Sequence, residues 1–118
     1  MSIRLAATGA AVCALAFGGL ALASGTTKLN GTVGPGFTIS LKNAAGKKVT
    51  TLKPGKYVFA VQDKSSIHNY TLEGPGVNKV LTATGFVGSK TSPAITLKAG
   101  KYTYICTVHG FKGTFTVK

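Results

Sequence analysis

Residues 24–118 contain one cysteine, Cys106, and two histidines, His68 and His109. Cys106 and His109 stand three apart in Cys106-Thr107-Val108-His109, and His68 opens His68-Asn69-Tyr70. One thiolate and two imidazoles form the equatorial set that copper uses in electron-transfer sites, where a fixed plane of donors suits both oxidation states. A bare Cys-x-x-His pattern is common, but the distant His-Asn makes this combination more specific. Zinc accepts the same donor types, yet its structural sites take four ligands and more cysteine. Methionine, the usual weak fourth ligand of such copper sites, is missing here, since the one Met of the sequence is Met1.

These three residues need a rigid frame. No stretch after residue 24 repeats apolar residues at helical spacing, whereas short alternating runs recur every 8–12 residues or so. Strands are predicted at Phe37–Leu41, Val49–Leu52, Tyr57–Val61, Ile67–Leu72, Ala94–Leu97, Tyr102–Cys106 and Thr114–Val117, with Val33 near a further start. Tyr57–Val61, apolar on both faces, suits a central strand. Turn residues punctuate the runs at Gly34-Pro35-Gly36, Asn43–Lys47 and Glu73–Gly76. Leu52-Lys53-Pro54-Gly55-Lys56-Tyr57-Val58-Phe59 is echoed by Leu97-Lys98-Ala99-Gly100-Lys101-Tyr102-Thr103-Tyr104, each a Gly turn leading into a strand with paired aromatics on one face. The pattern predicts an all-β, Greek-key antiparallel β-sandwich. Residues 78–93 read as a wandering connection with at most a short edge strand. In this frame His68 lies near one strand, Cys106 ends the penultimate strand, and His109 lies in the loop to the last.

The run from Asp63 to Val77, with Leu97 to His109, resembles the small bacterial cupredoxins of the plastocyanin/azurin family. Gly34–Ile39 and Lys112–Val117 also fit, so the resemblance spans nearly all of residues 24–118. It implies an eight-stranded cupredoxin-like sandwich with one copper ion near one end, cycling between Cu(I) and Cu(II), held by His68, Cys106 and His109, and a role in electron transfer. It further implies that Asn69 ties the two ligand loops by hydrogen bonds, and that Gly34, Pro35, Gly110 and Phe111 form an apolar docking surface for a redox partner. Members of the family usually place Met shortly after the second His. Here His109-Gly110-Phe111 runs straight into Lys112-Gly113. Three outcomes follow: a three-coordinate site with Phe111 or another apolar group nearby, a water or the Ile67 carbonyl as donor, or a site that binds copper poorly or holds Cu(I) only. Gln62 and Thr114 are minor candidates for an oxygen donor.

The leading segment reads as a signal peptide over residues 1–23, with Arg4 before the apolar run Leu5–Leu22 and a small-x-small site at Ala21-Leu22-Ala23. A membrane anchor is the rival reading, but the run is short for a span of ~20 residues. Cleavage leaves a copper-binding domain at 24–118, exported to the periplasm or outside the cell, monomeric and without a membrane span. Thirteen lysines against Asp63 and Glu73 give this part a net charge of +11. The lysines are dispersed and form no nucleic-acid motif, so they predict a solvated surface or steering toward an acidic redox partner. Two carboxylates, each beside a turn, make no acid–base pair and argue against an enzyme. The alternative to electron shuttling is copper handling, as a chaperone or buffer for Cu(I).

Overall fold

The computed structural model describes residues 25–118, so the signal segment expected at 1–23 lies outside the described residues. Ten strands form two sheets, with no helix among the described residues. They are β1 (Thr27–Val33), β2 (Ile39–Lys42), β3 (Thr51–Leu52), β4 (Gly55–Asp63), β5 (Tyr70–Gly74), β6 (Val77–Thr82), β7 (Gly88–Thr91), β8 (Ile95–Leu97), β9 (Gly100–Ile105) and β10 (Lys112–Val117). The first sheet runs β8-β4-β1-β2, with β7 also paired to β4; the second runs β3-β10-β9-β5-β6.

The architecture is the all-β sandwich expected, but its sheets are mixed rather than purely antiparallel. β1 pairs β4 in parallel, and β3 pairs β10 in parallel. The chain leaves β1 through β2, crosses to the other sheet at β3, and returns as β4 on the free side of β1. A crossover of this kind delivers a strand in the same direction as its neighbour. Residues 78–93 hold most of two strands, β6 and β7, where one short edge strand was expected. Their sequences hide this: β6 is exposed over Asn78–Val80, and β7 is the polar run Gly88-Ser89-Lys90-Thr91, so neither shows an apolar alternation.

Inward residues at alternate positions build the core. Tyr57, Phe59, Val61 and Asp63 of β4 are all buried, as are Tyr102 and Tyr104 of β9 and Phe115 and Val117 of β10. The repeated Leu-Lys-x-Gly-Lys-Tyr segments adopt the same local device. Tyr57 donates its hydroxyl to the Lys53 carbonyl (2.6 Å), and Tyr102 donates to that of Lys98 (2.8 Å). Each ring thereby pins the turn four residues before it, and the two turns lie side by side through the Leu97–Gly55 pairing.

A stacked aromatic column crosses the interior: Tyr70 on Tyr104 (5.9 Å), Tyr104 on Phe115 (6.3 Å) and Phe115 on Tyr102 (5.3 Å). Burial drives the Tyr70 phenol well above its ordinary range, and the neighbouring Tyr104 adds to this. A raised phenol favours the neutral form in the folded state, so that contribution is whole below pH ~10 and is lost as pH climbs beyond it. The denaturation midpoint is expected to fall above pH ~10, and to fall less steeply in Tyr70→Phe, as measured by urea unfolding across pH 8–12.

Candidate metal centre

Two loops at one end of the sandwich present the three donors. The loop between β4 and β5 carries His68. Its shape is fixed locally, because Asp63 Oδ1 accepts the Ser65 N–H (3.1 Å), and the Ser65 carbonyl accepts the His68 N–H (3.3 Å). The loop between β9 and β10 carries Cys106 and His109. It closes on itself through Gly110 N–H to the Cys106 carbonyl (2.7 Å) and Cys106 N–H to the Phe111 carbonyl (3.1 Å).

Asn69 joins the two loops. Its Oδ1 accepts the Thr107 N–H (3.0 Å) and its Nδ2 donates to Thr107 Oγ1 (2.8 Å). This is the tie that the family resemblance implied. Asn69→Ala leaves the Thr107 amide without that acceptor. The expected cost is about 1–3 kcal/mol of unfolding free energy, read by urea denaturation.

The donor atoms converge. Cys106 Sγ lies 3.7 Å from His68 Nδ1 and 3.8 Å from His109 Nδ1, and the two Nδ1 atoms are 3.1 Å apart. His68 and Cys106 are buried, and His109 is exposed. A point equidistant from all three atoms is about 2.1 Å from each, matching a metal–nitrogen bond and only slightly short of a metal–sulfur bond. The tautomer agrees. His68 Nε2 is 2.8 Å from the Gly36 carbonyl, which can only accept, so Nε2 carries the proton and Nδ1 of the neutral ring offers its lone pair to the site. Gly36 is at φ 71°, a left-handed conformation that glycine adopts without a Cβ clash.

Aromatic rings wall the cluster. Phe111 packs against the core and stands edge-on to His68 at 4.9 Å. It therefore caps this end of the core and walls the cluster at once. Phe37 stacks on His109 at 4.8 Å and meets His68 edge-on at 5.4 Å, although it is 65% exposed. Sequence reasoning placed Phe37 in a strand and missed this role. Its only signal was the preceding Gly34-Pro35-Gly36, which makes a turn closed by Gly34 N–H to the Thr38 carbonyl (2.8 Å). Pro35 and Gly110 are exposed at this end, joined by Ile67 and Val108, whereas Gly34 is buried. Gln62 and Thr114 are exposed, and Gln62 lines a groove with Asn30 and Thr91 away from the cluster.

Neither a family model nor a curated protein matches the chain. Among solved structures it is similar to rusticyanin from Thiobacillus ferrooxidans, at 23% identity and a TM-score of 0.44, over 79% of this chain and 77% of that one. A variant rusticyanin gives 23% and 0.45 over the same shares, and reduced rusticyanin gives 24% and 0.41 over 79% of each chain. Rusticyanin is a copper protein. The class of this protein follows from its own frame and donors. A two-sheet β-sandwich gathering one thiol and two imidazoles at one end is cupredoxin-like, and the cluster fits a single copper ion.

Proposed function

We propose that this is an exported copper protein that carries single electrons, with His68, Cys106 and His109 as its metal ligands. The observation that carries the reading is the convergence of three soft or borderline donors, from two loops, to within 3.1–3.8 Å of one another. Copper, when bound to such a set, supplies a one-electron couple that a fixed donor plane serves in both oxidation states.

The chain's own residues supply the rest. Asn69 holds the two ligand loops at constant separation, and the Gly36 carbonyl fixes the orientation of His68. Phe111 and the core beneath it exclude water from the buried side. The exposed His109, rimmed by Phe37 and Val108, is the natural exit for an electron toward a redox partner. No helix among the described residues is long and apolar enough to cross a membrane. Export is supported by the apolar run Leu5–Leu22, ahead of Ala21-Leu22-Ala23, which we read as a signal peptide over residues 1–23. Residues 24–118 offer no thioether, which removes the donor that usually stabilises Cu(II), so a high reduction potential is expected.

Titration of the purified protein with Cu(II) tests this. An intense visible sulfur-to-copper absorption saturating at one equivalent is expected, with a reversible one-electron wave. A colourless, redox-silent protein under excess copper would overturn the reading. Tight Cu(I) binding with no wave would point instead to copper handling.

A further inference from the structure

A second feature lies beside the metal centre. Where the edge strand β2 of one sheet faces β10 of the other, a groove of about 200 Å³ opens. Its floor is the half-buried Ile39 above the buried Leu41 and Tyr104, and Lys42, Lys48 and Lys112 form its charged side. Lys42 and Lys48 face each other directly across an isolated antiparallel bridge. Like charges directly opposite on a ladder destabilise it, so this pair works against the fold.

Nothing within the described chain compensates it. Residues 25–118 have two carboxylates. Asp63 is buried at the end of β4 and bonded to its own turn. Glu73 sits on β5, which β9 separates from β10. Three cations therefore converge on an apolar-floored cleft without an internal counter-charge. The cleft also adjoins the electron exit. Lys112 follows Phe111, and Ile39 comes two residues after Phe37, so a segment lying in the groove reaches the aromatic rim over His109.

The geometry points to this groove as the docking site of an acidic segment on a protein partner, carboxylates against Lys42, Lys48 and Lys112 and an apolar side chain against the half-buried Ile39. This names the partner surface for the electron-transfer function proposed above and rests on that reading. Opposite charges of this kind act mainly by steering association, with a dependence on ionic strength.

The test uses an acidic probe peptide of four glutamates followed by two leucines, added to the 15N-labelled protein with no metal, so the outcome is independent of copper. Saturable shifts confined to Ser40–Lys42, Lys48 and Lys112–Gly113 are expected. The double reversal K42E/K48E is expected to weaken binding about tenfold. The matched reversal K53E/K56E lies at the opposite end of β4, where those lysines line a separate cavity, and is expected to have less than about a third of that effect. Shifts spread over lysines at both ends, equal loss in the two variants, or no saturable binding would each overturn the proposal. Binding to phosphatidylglycerol vesicles without any response to the peptide would assign the groove to a lipid surface and also overturn it.

Discussion

Cys106→Ser is expected to abolish the visible absorption of the copper-loaded protein and to weaken copper binding by about 100-fold or more. The thiol is fully buried, with its sulfur 3.7 and 3.8 Å from the two imidazole nitrogens. Sulfur is the only soft donor in the cluster. A serine oxygen at the same point is hard, and it holds its proton far more tightly than a thiol does. The metal-free variant has no reason to unfold. Serine is nearly the size of cysteine, and the nearby ring nitrogens can accept its hydroxyl proton, so stability should change by no more than about 1 kcal/mol. Absorption and paramagnetic-resonance spectra, run beside urea unfolding of the metal-free protein, separate the two effects. Colour retained in the serine variant would remove Cys106 from the ligand set.

The second large effect concerns glycine under an aromatic ring. Gly113 of β10 is the register partner of Tyr104 of β9, and that ring lies flat over it. A Cβ at Gly113 would overlap the ring at Cζ, Cε2 and the hydroxyl. The ring has nowhere to go, because Tyr70 stacks on one side at 5.9 Å and Phe115 lies at 6.3 Å. Gly113→Ala is expected to cost about 3 kcal/mol, at the upper end of overpacking penalties. Tyr104 precedes Cys106 by two residues, so the strain falls on the ligand loop, and the copper spectrum should shift as well. Gly74 provides the contrast. The Tyr102 ring covers it in the same way, but at the far end of β9. Gly74→Ala should lose comparable stability while leaving the spectrum unchanged. Urea unfolding with the spectrum of each variant checks both expectations, and equal spectral shifts in the two would refute a local route from Gly113 to the site.

Much of the molecule was legible because the signals are local. Short alternating runs fix which residues face inward: the segment read at Tyr57–Val61 falls inside an observed strand, and that read at Tyr102–Cys106 overruns its strand only by Cys106, which opens the ligand loop. The echo of Leu52–Phe59 in Leu97–Tyr104 had a cause that the sequence could not show, a tyrosine hydroxyl anchored to the carbonyl four residues back. Edge strands escaped because solvent on both faces erases alternation, as in Asn78–Val80 and Gly88–Thr91. The parallel pairings of β1 with β4 and β3 with β10 escaped because strand direction depends on which sheet the chain crosses to between them.

The donor types were set by the sequence alone: one thiol, two imidazoles and no thioether after residue 24, on segments bracketing rigid strands. Side-chain chemistry is a property of residue identity, so it needs no fold to be read. The tertiary structure decided that the three atoms meet within 3.1–3.8 Å, that Asn69 locks their loops together, and that Phe37 covers His109. Cys106 and His109 apart, those contacts join residues 38 to 72 positions apart in the chain. Only the closing of two sheets over one core brings them within reach.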